Sequence, residues 1–187
     1  SEIMLQQTQL ATVIPDYERF LERFPTVCAL AAASLDQVLS LWQGLGYYAR
    51  ARHLYAAAQQ VCERFHGVLP ADVRELHKLP GVGEYTAGAI ASIAYQQDAL
   101  AIDGNVVRVL CRLTDEERRP SAPGVRASLR ALGQALLPPG QAGAYNQALM
   151  ELGATVCTPA SPDCLQCPVA AHCLARARGT QAERPVP

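Results

Sequence analysis

The sequence predicts an all-α fold, and three observations predict it. Apolar residues recur at helical spacing, as in Val106, Val109, Leu110 and Leu113. Ser34-Leu35-Asp36-Gln37 is a capping-box pattern, Ser followed three residues later by Gln, and marks a helix start. No stretch shows the alternation of a strand, and no internal repeat goes beyond helical hairpins.

Taken in order, residues 2–24 read as helical, with Pro15 a kink or break between two helices. Phe20, Leu21 and Phe24 are expected to face a core. The capped helix runs from Leu35 to Trp42, where Gly44-Leu45-Gly46-Tyr47-Tyr48 breaks it. An Ala-rich helix follows from about Ala49 to Phe65, ended by Gly67 and Pro70. Asp72 caps a short helix stopping at Lys78. Another helix spans about Glu84–Tyr95, and one more begins after Asp103. Residues 114–124 are polar, with prolines and a glycine, and read as a surface loop. Helices at about 125–137 and 142–153 flank Pro138-Pro139-Gly140. Residues 157–173 form a Cys-rich loop, and 179–187 read as a loose tail or linker.

At 187 residues the chain suits one or two small domains with room for a real core. It has no apolar run long enough for a transmembrane helix and no secretory signal. It opens on Ser1-Glu2 without Met, so a fragment of a longer protein is expected. The net charge of −1 gives no support to nucleic-acid binding, although a local basic face within a neutral total still binds phosphate. Seven cysteines, four of them clustered, argue against a secreted disulfide framework and for a reducing compartment with a metal or cluster site.

Leu79-Pro80-Gly81-Val82-Gly83-Glu84-Tyr85-Thr86-Ala87 is the central motif. Pro80 stops the preceding helix, and Gly81 and Gly83 permit a tight turn that leaves backbone N–H groups open to a phosphate. Read by residues alone, it is equally a plain turn between packed helices. Cys157-x6-Cys164-x2-Cys167-x5-Cys173 places four thiolates within seventeen residues, a set that suits zinc or an iron–sulfur cluster. Cys28, Cys62 and Cys111 sit in helical patterns and read as small buried apolar residues. In Ser1-Glu2-Ile3-Met4-Leu5-Gln6-Gln7-Thr8-Gln9, Glu2 reads as an acid at a helix start, and the glutamines are amides suited to base edges. Tyr47 and Tyr48 offer stacking faces, and Arg50 and Arg52 offer phosphate contacts.

The Leu-Pro-Gly-Val-Gly-x-x-Thr-Ala string, with Asp103 in Ile102-Asp103-Gly104-Asn105-Val106, resembles the helix-hairpin-helix DNA glycosylases related to endonuclease III. Ser-Glu-x-Met-Leu-Gln-Gln-Thr-Gln, Gly-Leu-Gly-Tyr-Tyr-x-Arg and the cysteine spacing resemble the MutY family, the adenine DNA glycosylases, over essentially the whole chain. Endonuclease III is similar in the hairpin and the cysteines, but departs at the tyrosine motif and at Tyr85.

The resemblance implies a helical barrel lobe over 10–112, with the helix-hairpin-helix at about 72–95. It also implies an iron–sulfur lobe from 1–9 and 113–178, with DNA in a cleft between the lobes. It implies hydrolysis of the N-glycosidic bond of adenine opposite 8-oxoguanine or guanine, in double-stranded DNA, by a monomer with no membrane association. Glu2 is then the acid that protonates the base, and Asp103 stabilises the sugar cation. Asn105 orients Asp103 or water, and Tyr85 lies beside them. Leu5, Gln7, Thr8, Tyr47, Tyr48, Arg50, Gly81, Gly83 and Gln147 contact DNA or bases, Gln147 reading the flipped adenine. Cys157, Cys164, Cys167 and Cys173 hold a [4Fe–4S] cluster. Bifunctional relatives carry a Schiff-base lysine where this chain has Tyr85, so strong abasic-site lyase activity is not expected. The resemblance places the protein inside the cell, in bacterial cytoplasm or in a nucleus or mitochondrion. A glycosylase for thymine in T:G, or a catalytically silent iron–sulfur DNA-binding module, are the alternatives.

Overall fold

The computed structural model describes residues 2–6, 8 and 10–187, and for Leu10 the backbone only. Among the described residues there is no strand, and eleven α-helices follow one another. They are α1 Glu2–Leu5, α2 Leu10–Arg23, α3 Val27–Ala31, α4 Leu35–Leu41, α5 Ala49–Phe65, α6 Val73–His77, α7 Glu84–Tyr95, α8 Gly104–Thr114, α9 Val125–Ala135, α10 Ala142–Glu151 and α11 Leu174–Arg178. None of these helices is long and apolar enough to cross a membrane. Contacts group the chain into two units, 1–90 and 91–187. That division falls inside α7.

In the first unit, the expected break at Pro15 is not where the chain breaks. Pro15 lies inside α2, and the interruption falls between Leu5 and Leu10. Pro15 withholds the N–H that would bond the Ala11 carbonyl, one turn back, yet α2 runs on to Arg23. Val13, Asp16 and Phe20 form the buried face of α2, and Phe24, just past its end, continues the three- and four-residue spacing of one helical stripe. Leu21 lies off that stripe and is exposed, contrary to expectation. Phe20 meets Phe24 edge-on at 5.1 Å and Trp42 at 6.2 Å. Each such side chain contributes about 1.5–3 kcal/mol by burial. The Ser34 capping box forms, with Gln37 N–H donating to Ser34 Oγ at 3.3 Å and Ser34 N–H to Gln37 Oε1 at 3.1 Å. Helix α5 ends at a left-handed His66, after which Gly67 N–H bonds the Val61 carbonyl. Asp72 caps α6 by accepting from Arg74 and Glu75 N–H groups.

The core of the second unit is Leu100, Ile102, Val106, Val107, Leu110, Cys111, Val125 and Leu129. Burial pushes the Cys111 thiol up to about 11, as expected of a cysteine packed as an apolar residue. Asn146 of α10 is fully buried and ties three segments together. It donates to Ser92 Oγ and the Ala99 carbonyl, both at 2.8 Å, and accepts from Ala101 N–H. A π-helical turn, Leu152–Val156, continues α10 into the cysteine loop.

Two sequence expectations need correction here. Residues 114–124 are not wholly a surface loop, because Asp115 is buried. Residues 179–187 are not a loose tail. Thr180 Oγ1 donates to Asp115 at 2.6 Å, and Arg178 and the buried Arg184 pair with the same carboxylate at 3.0 and 2.8 Å. Arg112 Nε also donates to the Arg184 carbonyl at 2.9 Å. A buried carboxylate needs partners, and the C-terminal residues supply them.

Candidate functional site

The hairpin turn is held from inside by Leu76, Leu79 and Val82, all buried. Leu79 N–H bonds the Leu76 carbonyl and Val82 N–H the Leu79 carbonyl, so the chain reverses over three residues. Gly81 has φ +74, and a Cβ there would lie 2.7 Å from His53 Cβ of α5. Glycine is therefore required twice over, for its backbone angle and for the approach of α5. Around Gly83 there is open space. Gln6 crosses from the N-terminal segment and donates to the Gly81 carbonyl and to Thr86 Oγ1, both at 3.2 Å. Its amide is thus engaged by the turn.

Arg50 corrects one expectation. It is buried, so it is not an exposed phosphate ligand. Its Nη1 donates to the carbonyls of Met4 at 2.7 Å, Ile3 at 3.4 Å and Gln6. Its Nη2 donates to Leu45 O at 2.8 Å, Gly46 O at 3.4 Å and Thr8 Oγ1 at 2.9 Å. The guanidinium also lies 5.6 Å from the Trp42 ring and 5.4 Å from the Tyr47 ring. One cation thereby clamps the Glu2-containing segment to the tyrosine turn.

That turn is bent by left-handed angles at Gly44, Gly46 and Tyr47, φ 99, 66 and 46. For Tyr47 this backbone is uncommon, and its ring is 63% exposed. Tyr47 and the exposed Tyr48 share an open groove with Gln6, Ala49, Arg50, His53 and Tyr85. Glu2 and Leu5 of α1 are half-buried. Thr8 accepts from Arg50, and Gln7 lies outside the described residues. His53 is a groove residue that the sequence reading missed. Its position three after Arg50 on the Ala-rich helix was the available signal.

In the second unit, Asp103 is the N-cap of α8, its Oδ1 accepting from Val106 N–H at 2.7 Å. Asn105 Nδ2 donates to Asp103 Oδ2 at 2.9 Å. Arg108 Nη2 then donates to Asn105 Oδ1 at 2.8 Å, and Arg108 Nε donates to the Cys157 carbonyl at 2.8 Å. A continuous chain of hydrogen bonds runs from Asp103 to the first cysteine of the loop. Gly153 lets it form, since a Cβ there would sit 2.6 Å from Asn105 Cβ. Arg108 and Gly153 were absent from the sequence reading, although Arg108 lies one helical turn after Asn105.

Cys157, Cys164, Cys167 and Cys173 line one small cavity of about 20 Å³, with Arg112 and Arg176 in its wall. Arg112 is buried and donates to Cys157 Sγ at 3.3 Å, to Thr158 O at 2.7 Å and to Pro159 O at 2.9 Å. Cys173 Sγ contacts Arg112 O at 3.3 Å. Burial, then the neighbouring Cys173, Cys157 and Cys167, push the Cys164 thiol up. Among the described residues, no group of three or more His, Cys, Asp or Glu is set to hold a single metal ion. The donor set of four thiols around one cavity, faced by arginine cations, fits an anionic four-thiolate centre.

Gln147 is exposed on α10 and donates to the Gly143 carbonyl at 3.2 Å. It lies in an open groove with Ser92, Ile93, Gln96, Gln141 and Glu151, and Asp103 is not part of that lining.

These features define a glycine hairpin, a tyrosine platform and a capped carboxylate wired to a cysteine cavity. Residues 1–134 match the family described as HhH-GPD superfamily base excision DNA repair protein, and the chain belongs to it. More particularly, it is 52% identical to the "Adenine DNA glycosylase" of Homo sapiens over 97% of this chain. It is 43% and 40% identical to the adenine DNA glycosylases of Schizosaccharomyces pombe and Arabidopsis thaliana, over 94% of this chain in each case. It spans only 33%, 38% and 31% of the length of those three relatives, in the same order. Among solved structures, a thermostable thymine-DNA glycosylase is similar at TM-score 0.85 and 26% identity, over 95% of this chain and 82% of that one. An endonuclease III in non-covalent complex with DNA is similar at TM-score 0.79 and 25% identity, over 96% of this chain and 82% of that one. The resemblance read from the motifs, and the all-α helix-hairpin-helix fold, are borne out.

Proposed function

We propose that this protein is a monofunctional adenine DNA glycosylase, hydrolysing the N-glycosidic bond of adenine opposite 8-oxoguanine or guanine in double-stranded DNA. The observation that carries this reading is the Asp103 carboxylate, held by the α8 N-terminus and Asn105, in a chain that is similar over 97% of its own length to an adenine DNA glycosylase.

Adenine leaves the stack to be reached. Glu2 delivers a proton to the adenine ring, and the bond from the sugar C1′ to the base breaks, the electron pair leaving with the base. Asp103 stabilises the resulting oxocarbenium-like sugar, with Asn105 fixing its orientation. Water then adds at C1′ and gives up a proton, leaving an abasic site. Leu5, Gln7, Thr8, Tyr47 and Tyr48 are assigned to the duplex, Gln7 and Tyr47 or Tyr48 filling the gap or reading the opposite base. Gly81 and Gly83 cradle a phosphate, and Gln147 reads the extruded adenine. Cys157, Cys164, Cys167 and Cys173 would hold the family's [4Fe–4S] cluster, which when bound folds the loop and shapes a DNA-binding surface. The protein acts as a monomer within the cell.

Thymine removal from T:G is the second reading, favoured by the likeness to a thymine-DNA glycosylase. A single-turnover assay on A:8-oxoguanine, A:G and T:G duplexes separates the two. Adenine release is expected, and release of thymine alone would overturn the proposal. Binding without release from any duplex would make the protein a silent DNA-binding module. Iron and sulfide analysis is expected to give a brown protein, and one zinc in a colourless protein would refute the cluster.

A further inference from the structure

Cys28 and Cys62 are not the buried apolar residues that their helical pattern predicts. Cys28 on α3 is exposed, and Cys62 on α5 is half-buried. Their Sγ atoms are 2.8 Å apart. The Cys28 sulfur is also seated against the turn that ends α5, because a Cβ on Gly67 would lie 2.7 Å from it. That turn holds φ +81 at Gly67, which a side chain would strain. The sulfur is therefore directed toward Cys62 by the packing of α3 on α5. A groove lined by Ala31, Gln59, Gln60, Cys62 and Glu63 opens Cys62 to small molecules, and Cys28 is itself exposed. Neither cysteine belongs to the four around the cavity of the second unit.

We propose that Cys28 and Cys62 are a thiol modification site, a dithiol that closes to a disulfide when it meets a low-molecular-weight disulfide oxidant and so pins α3 to α5. A disulfide bond is about 2.05 Å long, so the sulfurs need approach by only about 0.8 Å. The Cys28 thiolate attacks one sulfur of R–S–S–R, forming a mixed disulfide and releasing R–S⁻, which takes up the proton Cys28 lost. Cys62 then gives up its proton and attacks the Cys28 sulfur, expelling the second R–S⁻, which is protonated in turn. Two thiols are oxidised, one R–S–S–R is reduced to two R–SH, and nothing else is consumed. The order follows from exposure, since Cys28 is the exposed partner and Cys62 the half-buried one. The hydrogen bond to Cys28 pushes the Cys62 thiol up to about 11, which suits it to the second step rather than the first.

The test incubates the full chain with oxidised glutathione, blocks remaining thiols with iodoacetamide, and maps tryptic peptides 24–50 and 53–64 by mass spectrometry. The expected product is these two peptides cross-linked, two mass units below their sum. Thermal denaturation of the oxidised protein is expected about 5–10 °C higher, reversed by reductant. Cys62→Ser should stop at a glutathione adduct on Cys28, and Cys28→Ser should leave Cys62 alkylated. Alkylation of both peptides after oxidation would overturn the proposal, as would a lasting glutathione adduct on peptide 24–50 beside an alkylated 53–64.

Discussion

Asn105 donates its side-chain amide to Asp103 at 2.9 Å, on the carboxylate oxygen that the helix cap leaves over. The two oxygens of Asp103 are thereby assigned, one to Val106 N–H and one to Asn105, and its plane is fixed relative to α8. Asn is itself a good N-cap, but its amide nitrogen cannot accept from Asn105 Nδ2, so Asp103→Asn should cost about 1–2 kcal/mol of stability. A neutral amide stabilises a sugar cation poorly, and single-turnover base release should fall about 10²- to 10⁴-fold. Glu2→Gln should lose activity on the same scale while binding DNA as before. Substantial turnover by Glu2→Gln would mean that the proton comes from elsewhere.

Arg108 holds Asn105 in place and reaches the Cys157 and Gly153 carbonyls with the same guanidinium. Arg108→Lys retains the charge but not the fork, and a lysine cannot serve three acceptors lying in different directions. Base release should slow roughly tenfold or more, with substrate binding little changed. Visible absorbance of the proposed [4Fe–4S] cluster should decline faster on storage, since Cys157 loses a backbone anchor. Full activity in Arg108→Lys, with stable absorbance, would show that Asn105 orients Asp103 unaided.

Arg50 should prove structural. Removing its side chain in Arg50→Met leaves the carbonyls of Met4, Gln6 and Leu45 without their donor. An unsatisfied buried acceptor costs about 1–3 kcal/mol, and partial rehydration lessens the total, so a loss of roughly 3 kcal/mol is expected from denaturant melts. A phosphate ligand would behave differently, with stability unchanged and a smaller salt dependence of DNA binding.

The helices were legible because their start and stop signals are local. Ser34 with Gln37, Asp72, and the run from Ala49 to Phe65 are each specified within a few residues. The cysteine set was legible for the same reason, through spacing. Arg50, Arg108 and Gly153 were not, because what they do depends on partners 44–49 residues away. Arg50 in particular reads on paper as a basic surface residue beside two tyrosines, and only the fold turns it inward onto carbonyls. The C-terminal segment misled for a related reason. Its polar, proline-containing composition is that of a tail, yet its value lies in the charge it brings to Asp115.

That contact makes the second unit acid-sensitive. The Thr180 hydroxyl, then the Arg178 and Arg184 cations, hold the Asp115 carboxyl below its ordinary range against the effect of burial. The Arg118 side chain and N–H bring the Glu116 carboxyl down to about 2. Because both values are depressed on folding, the stability they contribute is present above the ordinary carboxylate range near pH 4. It is lost as pH falls from there toward about 2. Thermal melts across that window should show the loss, and Asp115→Asn should melt lower at neutral pH with a shallower decline in acid. An unchanged acid limb in Asp115→Asn would remove Asp115 from the explanation.

Tyr85 offers the test of monofunctional chemistry. It stands in the first turn of α7 and lines the groove with Gln6, Tyr47, Tyr48 and His53. A phenol forms no imine with an aldehyde, so the wild type should release adenine and leave the abasic strand uncut. Lys78 closes α6 on the other side of the hairpin and is occupied by Glu75, its Nζ donating at 2.6 Å. Tyr85→Lys places an amine at a half-buried position, where partial desolvation lowers its pKa toward the nucleophilic range. The variant should be trapped on DNA by borohydride and should nick the abasic strand, with slower base release than the wild type. Equal trapping of wild type and variant would locate an imine-forming amine elsewhere and end the monofunctional reading. No trapping of the variant would mean that residue 85 does not face the sugar, and Gly81 and Gly83 would then lose their assignment as the phosphate cradle beside it.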